Sequence, residues 1–258
     1  MSSVLTRTDS GEVAILEMAR PQARNALSME LMTALIGAFE TVSRDANIKA
    51  VILRGAGPAF CAGHDLKEMR ANPARAFMQQ TFETCSRLML AITRLRQPVI
   101  AEVHGIATAA GCQLVATCDL AVCAEDARFA TPGVNIGLFC STPMVALTRA
   151  VGRKVAMEML LTGDLVDASA AKAMGLVSRV VPEAELAGAT QALAAKIASK
   201  SPLTLAIGKE AFYSQAEMGL DEAYAYASRA MTRNMLARDA EEGIDAFIEK
   251  RQPVWQGN

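Results

Sequence analysis

The stretch "GIATAAGCQLVATCDLAV", Gly105 to Val122, decides the fold. Gly105 breaks a strand, and small residues cluster at Ala109, Ala110 and Gly111. A short helix begins near Ala109, and Leu120 to Glu125 is strand again. Strand, tight turn, short helix and strand within so few residues require a helix pressed against a sheet, and small side chains permit that approach. The same arrangement leaves backbone N–H groups accessible at the positive end of the helix dipole. Gln113 then stands in the first turn of an otherwise apolar helix.

Working outward, "VIAEV" (Val99 to Val103) and "AVILRG" (Ala50 to Gly55) are short buried strands. "VLTRT" and "VAILEM" flank Asp9–Ser10–Gly11 and predict a β-hairpin. Ser28 is a cap for a helix with Met32, Leu35, Ile36, Phe39 and Val42 on its apolar face. Asn72–Pro73 opens a long helix with Met78, Phe82, Cys85, Met89 and Ile92 along one face, and Gln97–Pro98 stops it. From Pro143 the pattern is mostly helical, with a helix capped by Asp167, a strand over Leu176 to Val181 and a helix from Glu183 to Ser199. Ser201–Pro202 marks a boundary, and three helix patterns follow it. Strands alternating with helices give an α/β class, organised as a core over 1–200 and a helical region over 201–258.

Composition narrows the function. The chain of 258 residues is 52% hydrophobic but only 5% aromatic, so its core is aliphatic. A net charge of −1 with no basic region excludes nucleic acid as an expected partner. No apolar run reaches about 18 residues, so no membrane span is expected. The start "MSSVLTRTDSGEVAIL" lacks the pattern of a secretory or transit signal, and a cytoplasmic protein is expected. Six cysteines without CxxC spacing and two histidines give little support to a metal site; the thiols read as reduced, buried small hydrophobes.

A second loop, "FCAGHDLKEM" (Phe60 to Met69), also sets small residues before a charged helix start. Two N–H groups from such loops, aimed at one oxygen, make an oxyanion hole. Tight helix–sheet packing calls for the same residues, so composition alone leaves both readings open.

The stretches "FCAGHDLKEM", "GIATAAGCQLVATCDLAV", "FATPGVNIGL", "AMEMLLTG" and "AFIEKRQPVW" together resemble, in content and order, the enoyl-CoA hydratase/isomerase (crotonase) superfamily. The likeness runs from Val13 to Trp255 and is nearest to the domain-containing protein 3 type. It implies a spiral of ββα units with a C-terminal helical trimerisation region. It implies an acyl-CoA thioester ligand whose enolate is stabilised, with coenzyme A as part of the substrate and no separate cofactor. It also implies self-association as a trimer or a dimer of trimers. On this resemblance the oxyanion hole is formed by the backbone N–H groups of His64 and Ala110. Ala62, Asp65, Leu66, Gly111 and Gly133 lie along the substrate, and Gln22, Ala23, Arg24, Phe247 and Lys250 border the adenine end of CoA.

The sequence departs from the two-glutamate hydratase at both acid–base positions. Gln113 stands at one and Gly133 at the other, and neither an amide nor a glycine exchanges a proton near neutral pH. Asp119 and Asp126 flank a buried strand and read as structural. His64 and Cys140 are the local proton carriers on offer, read here as a backbone role and a buried thiol. Met144, Leu138, Phe139 and Cys140 are candidates for the acyl pocket. Three readings stay open: another acyl-CoA reaction, decarboxylation of a malonyl-CoA-like acid among them; a weak hydratase; and a non-catalytic acyl-CoA binder. Carboxylates placed at both Gln113 and Gly133 are expected to raise hydration more than either alone.

Overall fold

The computed structural model describes residues 3–258. Its first strands, β1 (Leu5–Ser10) and β2 (Val13–Met18), form the expected hairpin, with Ser10 opposite Val13. Ser28 caps α1 (Met29–Arg44) by accepting the Leu31 N–H at 3.2 Å, and Leu31, Met32, Leu35, Phe39 and Val42 face inward. The remaining principal strands are β3 (Ala50–Gly55), β5 (Val99–Val103), β7 (Leu120–Ala124) and β10 (Arg179–Val181). They join the hairpin in a six-stranded sheet of order β1-β2-β3-β5-β7-β10, parallel from β2 onward.

Both faces of this sheet are covered, and the strands alternate between them with period two. Val51, Leu53, Val99, Ala101, Ala121 and Cys123 enter the main core. Ala50, Ile52, Ile100, Val122 and Ala124 pack beneath α8 (Leu186–Ala198) through Leu186, Leu193 and Ala194.

The sequence reading missed most of a second sheet. It consists of β4 (Ala59–Cys61), β6 (Ile106–Thr108), β8 (Arg128–Ala130) and β9 (Val166–Asp167), in that order. Strands of two or three residues are too short to show a period. Each principal strand β3, β5 and β7 is followed by one of these short strands and then by helix. That repetition is the ββα spiral: α2 (Leu66–Ala71) and α3 (Arg75–Arg94) after β4, α4 (Ala110–Thr117) after β6, and α5 (Pro143–Ala150) after β8.

Two helix expectations are corrected. Asn72 closes α2 instead of opening α3, because Asp65 starts α2 at once by accepting the Lys67 and Glu68 N–H groups. The buried face of α3 is Thr81, Thr84, Cys85, Leu88, Met89 and Ile92, while Phe82 is exposed. Threonines supply part of that face, so an apolar count alone rotates it.

After α6 (Arg153–Thr162) and α7 (Ala168–Ala173), the chain ends in α9 (Pro202–Gln215), α10 (Leu220–Met235) and α11 (Arg238–Glu249). Ser201 caps α9 through the Thr204 N–H, at the boundary read from Ser201–Pro202. α9 is anchored to the core by Lys209. Its Nζ donates to Asp119 at 2.6 Å and to the carbonyls of Ile92 and Gln97 at 2.9 and 3.0 Å. Asp119 also accepts the Val99 N–H at 2.7 Å and the Tyr213 hydroxyl at 2.9 Å. The structural reading of Asp119 therefore holds, and Lys209 and Tyr213 are the partners the sequence did not disclose. No helix among the described residues is long and apolar enough to cross a membrane.

Candidate active site

The two small-residue loops lie against one another. Short strands β4 and β6 pair in parallel and deliver both loops to the same edge. Thr108 Oγ1 donates to the Ala62 carbonyl at 3.1 Å and ties them. A Cβ placed on Gly63 would stand 2.9 Å from the Ala109 Cβ and 3.4 Å from the Ala110 nitrogen. A Cβ placed on Gly111 would stand 2.0 Å from the Cys61 carbonyl oxygen. Glycine at both positions is thus a condition of the contact.

Each loop leaves backbone N–H groups without an acceptor among the described residues, His64 on the first and Ala110 on the second among them. Leu27 grips the first loop: its N–H donates to the Gly63 carbonyl at 2.7 Å, and its own carbonyl accepts from Asp65 at 3.1 Å. Between them, the His64 N–H has no acceptor among the described residues. On the second loop the Ala109 N–H donates to the Ala130 carbonyl at 2.9 Å, and the Gln113 N–H donates to the Ala109 carbonyl at 3.0 Å. The Ala110 N–H is likewise without an acceptor among the described residues. Ala109 is the N-cap of α4 and offers no side-chain oxygen to its first turn. Its backbone sits at φ 51°, ψ −117°, a region an L-residue occupies only under strain of about 1–3 kcal/mol. That conformation turns β6 into α4 with no intervening loop.

The side chains around this edge are mostly occupied. Both Asp65 oxygens are engaged, Oδ1 by the α2 cap and Oδ2 by Arg20 at 2.8 Å. Burial raises its proton affinity, but the Arg20 guanidinium and the cap N–H groups outweigh that and hold it below the usual carboxylate range. Leu66 is half exposed at the start of α2. The turn containing Gln22, Ala23 and Arg24 is joined to the same loop, because the Ala62 N–H donates to the Arg24 carbonyl at 3.0 Å. Asn25, fully buried at φ 52°, holds this turn through Arg20 N–H and the Ala56 and Ala59 carbonyls. Its importance was not visible in the sequence, where an Asn beside Arg reads as an ordinary turn. Phe247 and Lys250 lie at the end of α11, which packs on α9 and α10. Phe247 is 84% exposed, and no hydrogen bond or ion pair among the described residues links either residue to the Gln22–Arg24 turn.

Gln113 is buried, and its carboxamide oxygen faces the Cys85 thiol at 3.8 Å. Burial pushes the thiols of Cys61, Cys85 and Cys112 up to about 12, so they stay protonated and unreactive near neutral pH. All six cysteines are buried, as their composition reading expected.

Gly133 lies in a 3-10 turn, and its backbone conformation is ordinary; space is what forbids a side chain. A Cβ there would stand 2.5 Å from the Leu138 carbonyl oxygen and 2.9 Å from the Cys140 sulfur. The expectation that a Gly133→Glu change adds to Gln113→Glu is therefore withdrawn. Of the acyl-pocket candidates, Leu138, Phe139 and Met144 are partly exposed and Cys140 is buried; the cavity beside Gln113 is lined from α5 by Val145 and Ala146.

His64 is partly buried, its ring stands edge-on to Phe82 at 5.5 Å, and both ring nitrogens are buried without a hydrogen-bond partner. Burial lowers its pKa to about 4, with the nearby Leu27 backbone opposing only in part. An unfolded histidine titrates near 6.5, so the unfolded chain takes up this proton first as pH falls. Stability is expected to be complete above about pH 6.5 and to fall by on the order of 3 kcal/mol by pH 4. In denaturant titrations across that window, His64→Leu is expected to flatten the slope; an unchanged slope would show that the ring protonates freely in the native state.

The family model described as enoyl-CoA hydratase/isomerase matches residues 8–258. The enoyl-CoA hydratase domain-containing protein 3, mitochondrial, of Homo sapiens is 49% identical over 238 residues, covering 92% of this chain and 78% of that protein. A crystal structure of an enoyl-CoA hydratase from Mycobacterium smegmatis superposes with a TM-score of 0.95 at 53% identity over 98% of each chain. The crystal structure of human enoyl-CoA hydratase domain-containing protein 3 also gives 0.95, at 46% identity, covering 98% of this chain and 100% of that one.

Proposed function

The chain belongs to the enoyl-CoA hydratase/isomerase family and has the α/β crotonase fold, and on that premise we propose that it binds acyl-CoA thioesters through the His64 and Ala110 N–H groups. The observation that carries this reading is that two loops bearing acceptor-free N–H groups, those of His64 and Ala110 among them, are locked together by Gly63, Gly111 and Thr108. Donors fixed in that way stabilise an oxygen that gains negative charge, as a thioester carbonyl does on becoming an enolate. Both are backbone groups, so histidine and alanine serve as well as any residue. The Gln22–Arg24 turn and the Ala62–Leu66 loop form the surface for the CoA portion. Phe247 and Lys250, which make no hydrogen bond or ion pair to that turn within the chain, would join it from a neighbouring copy.

Proton transfer is the step the site lacks. Gln113 orients a group by hydrogen bonding but carries no proton, and Gly133 has no room for a carboxylate. Decarboxylation of a malonyl-CoA-like acid needs the oxyanion pair and no base: the bond to the carboxylate breaks, CO2 leaves, and the electron pair is held as the thioester enolate until solvent water protonates the α-carbon. This keeps it as the favoured chemistry; binding without turnover is the alternative. A panel of crotonyl-CoA, methylmalonyl-CoA and saturated acyl-CoAs, assayed for binding and turnover, tests this. All are expected to bind, with hydration of crotonyl-CoA slow or absent, since each general acid or base supplies about 10²–10⁴-fold. Gln113→Glu is expected to raise hydration measurably. Fast hydration by the unaltered protein overturns the reading.

The same proposal includes assembly. α9 to α11 leave Phe212, Leu220, Tyr224, Met231, Leu236 and Phe247 between 65% and 84% exposed, an amount of apolar surface that solvent does not tolerate uncovered. Light scattering at micromolar concentration is expected to give three or six chain masses; a monomer contradicts it.

A further inference from the structure

One face of α4 continues beyond the oxyanion pair. Ala110, Gln113 and Thr117 succeed one another at helical spacing, and Gln113, Ala116 and Thr117 line a cavity of about 830 Å³. Its walls are apolar, formed by Met89 and Leu90 of α3, Val145 of α5 and Leu203, Ala206 and Ile207 of α9. Seven residues at 1.5 Å each put Thr117 roughly 10 Å beyond Ala110, past the reach of a four-carbon acyl chain. The polar rim of the cavity is cationic: Arg94, Arg96, Arg149 and Arg233 stand there against Glu210 and Glu217. Arg149 is paired with Glu217 at 2.7 Å and Arg233 with Glu210 at 3.2 Å. Arg94 and Arg96 have no ion-pair or hydrogen-bond partner among the described residues.

We propose that the preferred acyl chain is long enough to cross this cavity and ends in a carboxylate held at Arg94 and Arg96. The inference rests on the acyl-CoA reading above and names the substrate class of that site. A terminal methyl group gains nothing from a cationic rim, whereas a carboxylate accepts charge-assisted hydrogen bonds from guanidinium groups that lack another partner. The apolar walls favour the methylene chain between the two polar ends.

Calorimetry on the intact protein at low salt compares butanoyl-CoA, dodecanoyl-CoA, the mono-CoA thioester of dodecanedioic acid, and free dodecanedioate. Because the arginines are exposed, the ω-carboxyl thioester is expected to bind about three- to tenfold more tightly than dodecanoyl-CoA. The Arg94→Gln/Arg96→Gln double variant is expected to lose that preference and leave butanoyl-CoA binding unchanged. Free dodecanedioate is expected not to compete; competition by it would mean that the rim is a general anion site and would overturn the proposal. Equal or tighter binding of dodecanoyl-CoA, or a preference that survives in the double variant, overturns it as well. If butanoyl-CoA itself does not bind, the acyl-CoA reading fails; if butanoyl-CoA binds and the ω-carboxylate gains nothing, only the distal site fails.

Discussion

Gly111→Ala is expected to abolish acyl-CoA binding and to destabilise the protein by about 3 kcal/mol or more. The added methyl would meet the Cys61 carbonyl oxygen at 2.0 Å and the Cys61 Cβ at 2.9 Å. These atoms belong to strand β4 and cannot swing aside as a flexible side chain would. The strand and α4 must separate, and the His64 and Ala110 N–H groups move apart with them. A misplacement near 1 Å already costs on the order of 10²-fold where aligned donors carry the interaction. Thermal unfolding and a direct binding titration check both effects. A variant with unaltered stability and affinity would show that the close approach of the two loops is not what builds the site.

Lys209→Met is expected to cost about 3–5 kcal/mol, because it leaves the Asp119 carboxylate buried without its counter-charge. The methionine fills the channel of the lysine stem but cannot replace the hydrogen bonds to Asp119, Ile92 and Gln97. Burial lowers the Lys209 pKa, with the Asp119 charge opposing it, so the ammonium depends on those contacts. α9 carries Leu203, Ala206 and Ile207 into the cavity wall, and its loosening should weaken binding of long acyl chains before that of short ones. Chemical denaturation measures the first effect and an acyl-length series the second. A loss below about 1 kcal/mol would contradict the anchoring role.

The parts of the molecule that could be read from the sequence are those with enough residues to display a pattern. The hairpin around Gly11, the Ser28 cap, the strands β3, β5 and β7, and the Ser201 boundary all combine an apolar period with a turn or capping residue. The second sheet could not be read, because β4, β6, β8 and β9 are two or three residues long and are defined by partners distant in sequence. Those strands bring the two loops together, so the sequence identified the loops while only the structure shows their contact. Gln113 and Gly133 could be named in advance, yet the obstruction at Gly133 comes from Leu138 and Cys140, whose return to that point no local pattern encodes. Asn25 and Lys209 were missed for the same reason: each works through hydrogen bonds to segments dozens of positions away.

The most direct test of the paired N–H groups is a calorimetric comparison of butanoyl-CoA with S-butyl-CoA, a thioether that keeps the nucleotide and the alkyl chain but has no carbonyl oxygen. Two hydrogen bonds of about 1–1.5 kcal/mol each predict binding of the thioether weaker by roughly 30- to 150-fold. Equal affinity for the two compounds would contradict the assignment of His64 and Ala110.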